Sequence, residues 1–176
     1  MATLKVAKIK EQSRVDGPGV RFSIYSQGCI HDCDGCPYPS TKDLSGGTRY
    51  DVHEIVDMIS NVSLLLDGLT ITGGEPFIQP YKFSRLIRRV KFLYPKYNIL
   101  AYTGFRYEEL IDDHDKYSLL SAIDYLIDGS YDKTKKNIKL KYKKSDNERI
   151  IDVKNSFRYK EIYDLTEKEL KNRILR

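Results

Sequence analysis

The chain has 176 residues, enough for one globular domain, and we expect a single domain over 1–176. Hydrophobic residues make up 40% and charged residues 31%, a balance that excludes a disordered chain, and the net charge of +5 is modest. No segment approaches the roughly 18 apolar residues of a membrane span, and the opening MATLKVAKIK lacks the apolar run of a signal peptide. We therefore expect a cytoplasmic protein with reduced thiols and no membrane partner.

Strands and helices alternate along the chain. VRFSIYS has apolar residues at every second position, which predicts a strand over 20–26. Asp51 followed by Glu54 resembles a capping box and predicts a helix over 51–62. The remaining predicted elements are a strand over 68–72, a helix from Pro80 to Pro95, a strand over 98–103, a helix over 106–122 broken near Asp112–Asp115, strands over 124–128 and 149–153, and a helix capped by Thr166.

This alternation predicts a parallel sheet with right-handed crossover connections. A complete eight-fold barrel takes about 250 residues, so this chain is too short for one. We expect an α/β fold, either an incomplete, open parallel βα barrel or a curled open sheet. Functional loops of both folds lie at the carboxyl ends of the strands. The loops after the first two predicted strands should therefore open onto the same end of the sheet.

All the cysteines of the chain fall within eight residues, in the spacing C-x3-C-x2-C: Cys29, Cys33 and Cys36. One interpretation is incidental buried thiols, which this tight clustering disfavours. A second is a structural zinc site completed by His31, His53 or His114, although the position of His31 two residues from two cysteines is unusual for zinc. The third is a four-iron cluster held by three thiolates, with one iron open to an exogenous ligand.

A second motif, TGGEP over 72–76, follows the next predicted strand. Paired glycines after a strand let backbone groups approach a ligand closely, and Glu75 adds a fixed anion able to accept from an ammonium group. A plain Gly-Gly turn is the alternative interpretation. The TGGEP motif stands one βα unit after the cysteines, and this position favours a site shared by the two motifs.

The cysteine loop after a strand and the GGE motif after the next strand together resemble the radical S-adenosylmethionine (radical SAM) enzymes. The resemblance implies that Cys29, Cys33 and Cys36 bind a [4Fe–4S] cluster, that no histidine ligates it, and that S-adenosylmethionine is the missing fourth ligand. It also implies that an electron from the cluster cleaves the sulfonium to methionine and a 5′-deoxyadenosyl radical. The cofactor then carries the chemistry, and we assign no catalytic side chain.

The same resemblance implies which residues contact S-adenosylmethionine. The GGE motif is expected to bind the methionine amino group, the backbone around the third cysteine to hold adenine, and Thr103 to contact the ribose or the methionine carboxylate. A valine at Gly74 is expected to block the cofactor by filling its space. The expected cofactor-binding residues are Gly35, Cys36, Pro37, Gly73, Gly74, Glu75 and Thr103.

Longer segments resemble the glycyl-radical activating enzymes, beginning with DGPGVRFSIYSQGCIHDCDGC from Asp16 to Cys36. AYTGFRYEEL, IDYLIDGSYD and NERIIDVKNS resemble in particular the activators of anaerobic ribonucleoside-triphosphate reductases. This implies a protein substrate, a glycine of that reductase, and a one-electron donor such as flavodoxin or ferredoxin. The family commonly has an aromatic residue and Asn where this chain has Pro37 and Tyr38, and a Trp where it has Lys42. We expect Tyr38 to cover the adenine ring.

Two other functions remain open from the sequence. One is a radical SAM enzyme acting on a small molecule, such as a deazapurine-forming synthase. The other is a zinc-bound nucleic-acid module using the lysine-rich segment 133–144, whose one aromatic residue, Tyr142, does not make the interleaved pattern of stacking platforms. We expect that segment to be a solvated loop or an edge strand, and we expect no nucleic-acid partner. The lysines concerned are Lys135, Lys136, Lys139, Lys141, Lys143 and Lys144.

Overall fold

The computed structural model describes residues 3–175, which form one eight-stranded mixed sheet with six α-helices. Met1, Ala2 and Arg176, which belong to the expected domain 1–176, lie outside the described residues. The strands are β1 (Thr3–Ser13), β2 (Arg21–Ser26), β3 (Thr48–Asp51), β4 (Gly68–Gly73), β5 (Asn98–Thr103), β6 (Tyr125–Asp128), β7 (Arg149–Asp152) and β8 (Asp164–Leu165). The helices are α1 (Val52–Val62), α2 (Pro80–Leu93), α3 (Tyr107–Ile111), α4 (His114–Leu120), α5 (Val153–Tyr159) and α6 (Glu167–Ile174).

The sheet order is β3-β1-β2-β4-β5-β6-β7-β8. The four central strands β2, β4, β5 and β6 pair in parallel, as the alternation of elements predicts. The flanking strands pair antiparallel, β1 with β2 and β3 on one side and β7 with β6 and β8 on the other. The expectation of a parallel sheet is therefore confirmed for the four central strands, and the sheet as a whole is mixed. β7 runs antiparallel because the connection from β6 returns through a loop over 129–148 that contains no α-helix.

The sheet carries a different layer on each face. Helices α1–α5 bury their apolar residues in a large cluster with Phe22, Ile24, Leu69 and Ile71, which alternate along β2 and β4. Val20 packs against this cluster, which confirms the period-two face predicted for that strand. The opposite face is covered by a smaller cluster to which α6 contributes. Polar side chains of β2 and β4 also point to that second face, and they lead towards the site described below.

The helix boundaries follow local sequence signals. Asp51 caps α1 in a capping box with Glu54, and Thr166 caps α6 in the same way with Glu169. The predicted helix over 106–122 is split into α3 and α4, with Asp113 capping the second. Within residues 3–175, none of the helices combines the length and apolar character that crossing a bilayer requires.

Candidate active site

The cysteine loop leaves the carboxyl end of β2, the second strand of the chain and not the first as the sequence predicted. Its entry is fixed by backbone hydrogen bonds from Gly28 N to Thr41 O (2.8 Å) and from Cys29 N to Lys42 O (3.1 Å). Cys36 N donates to Cys33 O at 3.3 Å, which closes a tight turn. Gly35 sits in this turn at φ 67°, a backbone conformation that other residues adopt only with strain. The C-x2-C spacing is thus a turn that presents two thiols together.

Three half-buried thiols, none of them in a disulfide, line one pocket with the ends of β4 and β5. The pocket has about 570 Å³ of space, part of it open to solvent. It brings together most of the residues predicted for the cluster and the cofactor: Cys29, Cys33, Cys36, Pro37, Gly73, Gly74 and Thr103. Within residues 3–175, no three His, Cys, Asp or Glu side chains are grouped as the ligands of a metal ion.

The two remaining predicted cofactor residues lie beside or beneath this pocket. Gly35 faces a neighbouring groove, where a side chain would meet Lys133 at 3.4 Å. Glu75 is fully buried below the pocket. His31 lies at the pocket wall, whereas His53 and His114, in α1 and α4, are not among the lining residues.

The glycine pair at the end of β4 packs directly on the cysteine loop. Gly74 N donates to Ser26 O at 2.9 Å and Glu75 N donates to Gly28 O at 2.7 Å, so the β2–β4 pairing continues into both loops. A Cβ atom on Gly73, at φ 96°, would lie 2.8 Å from Ser26 N, and one on Gly74 would lie 2.2 Å from Gly28 O. A side chain at Gly74 would therefore displace the cysteine loop. The expectation that valine there acts by filling cofactor space stays a prediction, and this contact adds a second way in which a side chain would disturb the site.

The Glu75 carboxylate connects three parts of the site. It accepts hydrogen bonds from Thr103 Oγ1 (2.9 Å) and Gly104 N (2.9 Å) at the end of β5, and from Phe77 N (2.9 Å) after its own strand. His31 Nε2, inside the cysteine loop, lies 2.8 Å from Glu75 Oε2 and donates to it. The sequence predicted Glu75 as an acceptor for an ammonium group. The structure adds that its oxygens already hold the cysteine loop against β4 and β5.

His31 is wedged between neighbouring groups. Its ring meets Phe105 edge-on, with ring centroids 4.6 Å apart. A Cβ atom on Gly104 would lie 2.5 Å from the His31 ring, so the backbone after β5 closes over it. The position of His31 between two cysteines therefore serves to attach the loop to Glu75.

Burial shifts the pKa of one thiol and one acid that line the pocket. Burial, the charge of Glu75 and the neighbouring thiols raise the pKa of Cys29, partly offset by a hydrogen bond to His31 O. Burial raises the pKa of Glu148, although the backbone N–H groups of Ser145 and Lys144 donate to its carboxylate. Burial therefore disfavours the charged form of one thiol and one acid at the site.

Tyrosines form much of the remaining wall. Tyr38, which the sequence predicted as a cover for adenine, lines the pocket and meets Tyr25 edge-on at 5.6 Å between centroids. Sequence reasoning missed Tyr102, Tyr131 and Glu148, which also line the pocket. Tyr131 lies within IDYLIDGSYD and Glu148 within NERIIDVKNS, two of the segments that carry the family resemblance. That resemblance is the sequence signal from which both residues could have been predicted to lie at the site.

The lysine-rich segment is a loop, one of the two forms expected of it, and it borders the site. It contains a short 3-10 turn over Lys133–Lys135 and an isolated bridge between Lys136 and Ser145. Lys133 pairs with Asp34 of the cysteine loop, and Lys144 lines the pocket. The segment thus connects the cysteine loop to the β6–β7 side of the sheet.

Comparison with known proteins gives consistent matches. A family model described as a 4Fe-4S single cluster domain matches residues 15–151. The anaerobic ribonucleoside-triphosphate reductase-activating protein of Enterobacteria phage T4 is 32% identical over 139 residues, which are 77% of this chain and 86% of that protein. The protein of the same name from Vibrio cholerae is 36% identical over 123 residues, 66% of this chain and 77% of that protein.

Among solved structures, QueE from Escherichia coli matches with a TM-score of 0.41 and 14% identity over 58% of this chain and 52% of that chain. The residues matched by the family model include the cysteine loop, β4 and β5. The chain belongs to the 4Fe-4S single-cluster family and, within it, to the anaerobic ribonucleoside-triphosphate reductase-activating proteins.

Proposed function

We propose that this protein activates an anaerobic ribonucleoside-triphosphate reductase by forming a glycyl radical on it. The observation that carries the proposal is the single pocket in which three free thiols meet the ends of β4 and β5. The relatives named as activators of that reductase support the choice of partner. A glycine of the reductase is then the substrate, and the reaction is a hydrogen-atom transfer.

The cofactors of this family are a [4Fe–4S] cluster and S-adenosylmethionine. We assign the cluster to the thiolates of Cys29, Cys33 and Cys36, the only cysteines of the chain. When bound, the two cofactors supply a one-electron reductive cleavage to methionine and a 5′-deoxyadenosyl radical, which takes a hydrogen atom from the glycine. The residues assigned to S-adenosylmethionine are Gly35, Cys36, Pro37, Gly73, Gly74, Glu75 and Thr103.

The chain's own residues orient the reactants and exclude water. Glu75 holds Thr103 and the cysteine loop in one arrangement through its four donors, so the pocket is preorganised. Tyr38 and Tyr131 form walls of the pocket next to Pro37. Hydrogen-atom transfer requires no acid–base side chain. Because one side of the pocket is open, the reductase has to complete the enclosure of a radical that water and side reactions would otherwise reach.

We also propose that the four parallel strands curve as an incomplete, open βα barrel within a single domain over 1–176. Helices α1–α5 pack on one face, as they do around a barrel, whereas doubly wound flat sheets carry helices on both faces. Among the described residues, α6 is the helix that contributes to the cluster on the other face. Both clusters share one sheet, which supports a single domain.

The proposed reaction consumes one electron, which the chain has to receive from outside. We propose a small one-electron donor such as flavodoxin or ferredoxin. Thiolate ligands persist in a reducing compartment, so a cytoplasmic location belongs to the same proposal.

The test is to mix the reduced, reconstituted protein with S-adenosylmethionine and the reductase in the absence of oxygen. A glycyl-radical doublet should appear on the reductase in electron paramagnetic resonance (EPR), with 5′-deoxyadenosine formed in proportion. Cys33→Ala, which removes one assigned thiolate, is the matched control and should give neither product. A reductase that stays radical-free while S-adenosylmethionine is cleaved would overturn the proposal, as would turnover of a small molecule without the reductase.

A further inference from the structure

A second groove adjoins the pocket on the side of the lysine-rich segment. It has about 580 Å³ of space, part of it open to solvent, between the cysteine loop and residues 136–144. We call it the basic groove, and define it by the residues that argue for its role: Pro37, Tyr131, Lys136, Ile138, Lys143 and Lys144.

The basic groove adjoins the pocket and shares lining residues with it. Pro37, Tyr131 and Lys144 line both of them, so these side chains form the boundary between the two spaces. A glycine within a polypeptide has chain on both sides, and a pocket that receives it needs a path along which the chain leaves. The basic groove offers such a path directly next to the thiols.

The chemistry of the groove is cationic and apolar together. Among the ion pairs of residues 3–175, none involves Lys136, Lys143 or Lys144. Lys143 Nζ donates only to the backbone oxygen of Glu148, at 3.0 Å. Ile138 is 88% exposed at the rim and offers an apolar contact beside the lysines.

The groove wall is held in place by the fold. The Glu167 carboxylate at the start of α6 accepts hydrogen bonds from the backbone N–H groups of Lys141, Tyr142 and Lys143, at 2.7 to 3.1 Å. Tyr142 is buried in the cluster beneath α6, and the Tyr102 hydroxyl donates to its backbone oxygen at 3.0 Å. The lysine side chains therefore project from an anchored loop, and an incoming segment meets a preformed surface.

We propose that the basic groove binds an acidic segment of the reductase that flanks the glycine and carries an apolar side chain against Ile138. This inference rests on the proposed function and adds the charge pattern that the partner needs. The unpaired lysines match carboxylates, and the rim isoleucine matches an apolar contact. The single aromatic residue of the groove, Tyr131, is shared with the pocket, which favours a polypeptide over stacked bases.

The test measures glycyl-radical formation against reductase concentration for Lys136→Glu and Ile138→Ser. Lys136→Glu should raise the KM for the reductase about threefold to tenfold at low ionic strength, and the difference should shrink as salt is added. Ile138→Ser should raise KM to a similar extent at every salt concentration. Lys96→Glu, an equally exposed charge reversal just before β5 at the opposite end of the parallel strands, should leave KM unchanged.

The formation of 5′-deoxyadenosine without reductase separates the two proposals. It should be the same in the wild type, Lys136→Glu and Ile138→Ser, because neither residue lines the pocket. An unchanged KM in both groove variants, or an equal rise in Lys96→Glu, would overturn the groove proposal while the proposed function stands. Loss of single-stranded RNA binding in Lys136→Glu with unchanged KM would assign the groove to nucleic acid instead. A wild type that forms no glycyl radical would overturn the proposed function itself.

Discussion

Both ends of the parallel strands contain fully buried charged side chains, among them Arg21 at the amino end of β2 and Glu75 just after the carboxyl end of β4. Arg21 donates to five neutral oxygens, among them Thr70 Oγ1 (2.5 Å), Asn98 Oδ1 (2.8 Å) and Leu69 O (2.7 Å). Burial lowers its pKa to about 10, which leaves the guanidinium charged at neutral pH. Glu75 accepts from four donors, and one of them is a side chain of the cysteine loop.

The difference lies in what each charge holds together. The partners of Arg21 belong to strands and to the loop before β2, and they close the amino end of the sheet. The partners of Glu75 include His31 of the loop that carries the three thiols, and Glu75 lies beneath an open pocket. Arg21 thus stabilises the packing of the strands at the amino end, whereas Glu75 positions the residues of the candidate site at the carboxyl end. The predictions below separate these two roles.

The largest effect is expected from Cys33→Ala. Removing one of three thiolates should abolish the four-iron cluster, because no other cysteine exists to replace it. Iron and sulfide content, with the EPR spectrum of the reduced protein, is the measurement. His53→Ala, an exposed change in α1, is the control and should keep the cluster. A full four-iron spectrum in Cys33→Ala would contradict the ligand assignment.

Arg21→Met tests the amino end. It leaves several buried oxygens without a donor, and we expect a loss of roughly 3 kcal/mol in the free energy of unfolding by urea. The EPR response of the cluster to S-adenosylmethionine should persist in the folded protein, because Arg21 lies at the far end of the strands. Arg85→Met, an exposed change in α2, should cost little. A changed cofactor response would show that the two ends are coupled.

Glu75→Gln tests the carboxyl end. The amide NH2 group cannot accept the hydrogen bonds that one carboxylate oxygen accepts, so we expect a loss of roughly 2 kcal/mol in unfolding free energy. Unlike Arg21→Met, this change should also alter the EPR response to S-adenosylmethionine, since Thr103 and the cysteine loop lose their common partner. Glu11→Gln on the exposed side of β1 is the matched control. If the free energy of unfolding falls while the EPR response to S-adenosylmethionine is unaltered, the role of Glu75 is purely structural, like that of Arg21.

Gly74→Ala tests the contact between the glycine pair and the cysteine loop. A Cβ atom 2.2 Å from Gly28 O forces backbone to move, and we expect a cost of about 1–2 kcal/mol together with poorer cluster incorporation. Gly46→Ala is the control, because its nearest neighbours are side-chain atoms 3.2 Å away that can shift. Normal cluster content with lost cofactor binding would restore the simpler view that the side chain fills cofactor space.

The smallest effect is expected from His31→Ala. The cluster should form, because His31 is held by Glu75 and Phe105 and is not assigned as a ligand. Loss of one hydrogen bond to a carboxylate should cost about 1–2 kcal/mol and loosen the cysteine loop, which hydrogen exchange of its backbone amides would detect. Loss of the four-iron spectrum in this variant would indicate that His31 ligates the cluster. It would then contradict the view that His31 serves to attach the cysteine loop to Glu75.

Local signals in the sequence determined the central part of the fold. The period-two strand at Phe22 and Ile24, the capping boxes that start α1 and α6, and the alternation of elements predicted the four parallel strands and their helices correctly. Those signals act within a few residues, so they can be read from the chain alone. The cysteine spacing and the GGE motif likewise identified the pocket, because parallel strands bring their carboxyl ends together.

Only the tertiary structure decided the flanking strands β1, β3 and β8, the antiparallel direction of β7, and the contacts within the site. The sequence did not predict β1. Of its eleven residues, Leu4 and Val6 are the buried apolar ones, so its alternating pattern is short. Its pairing with β2 also contains two register shifts. The attachment of His31 to Glu75, 44 residues later, and the return of the lysine-rich loop to the cysteine loop are long-range contacts. Such contacts depend on how distant segments pack in three dimensions, and no periodicity or spacing within one segment records them.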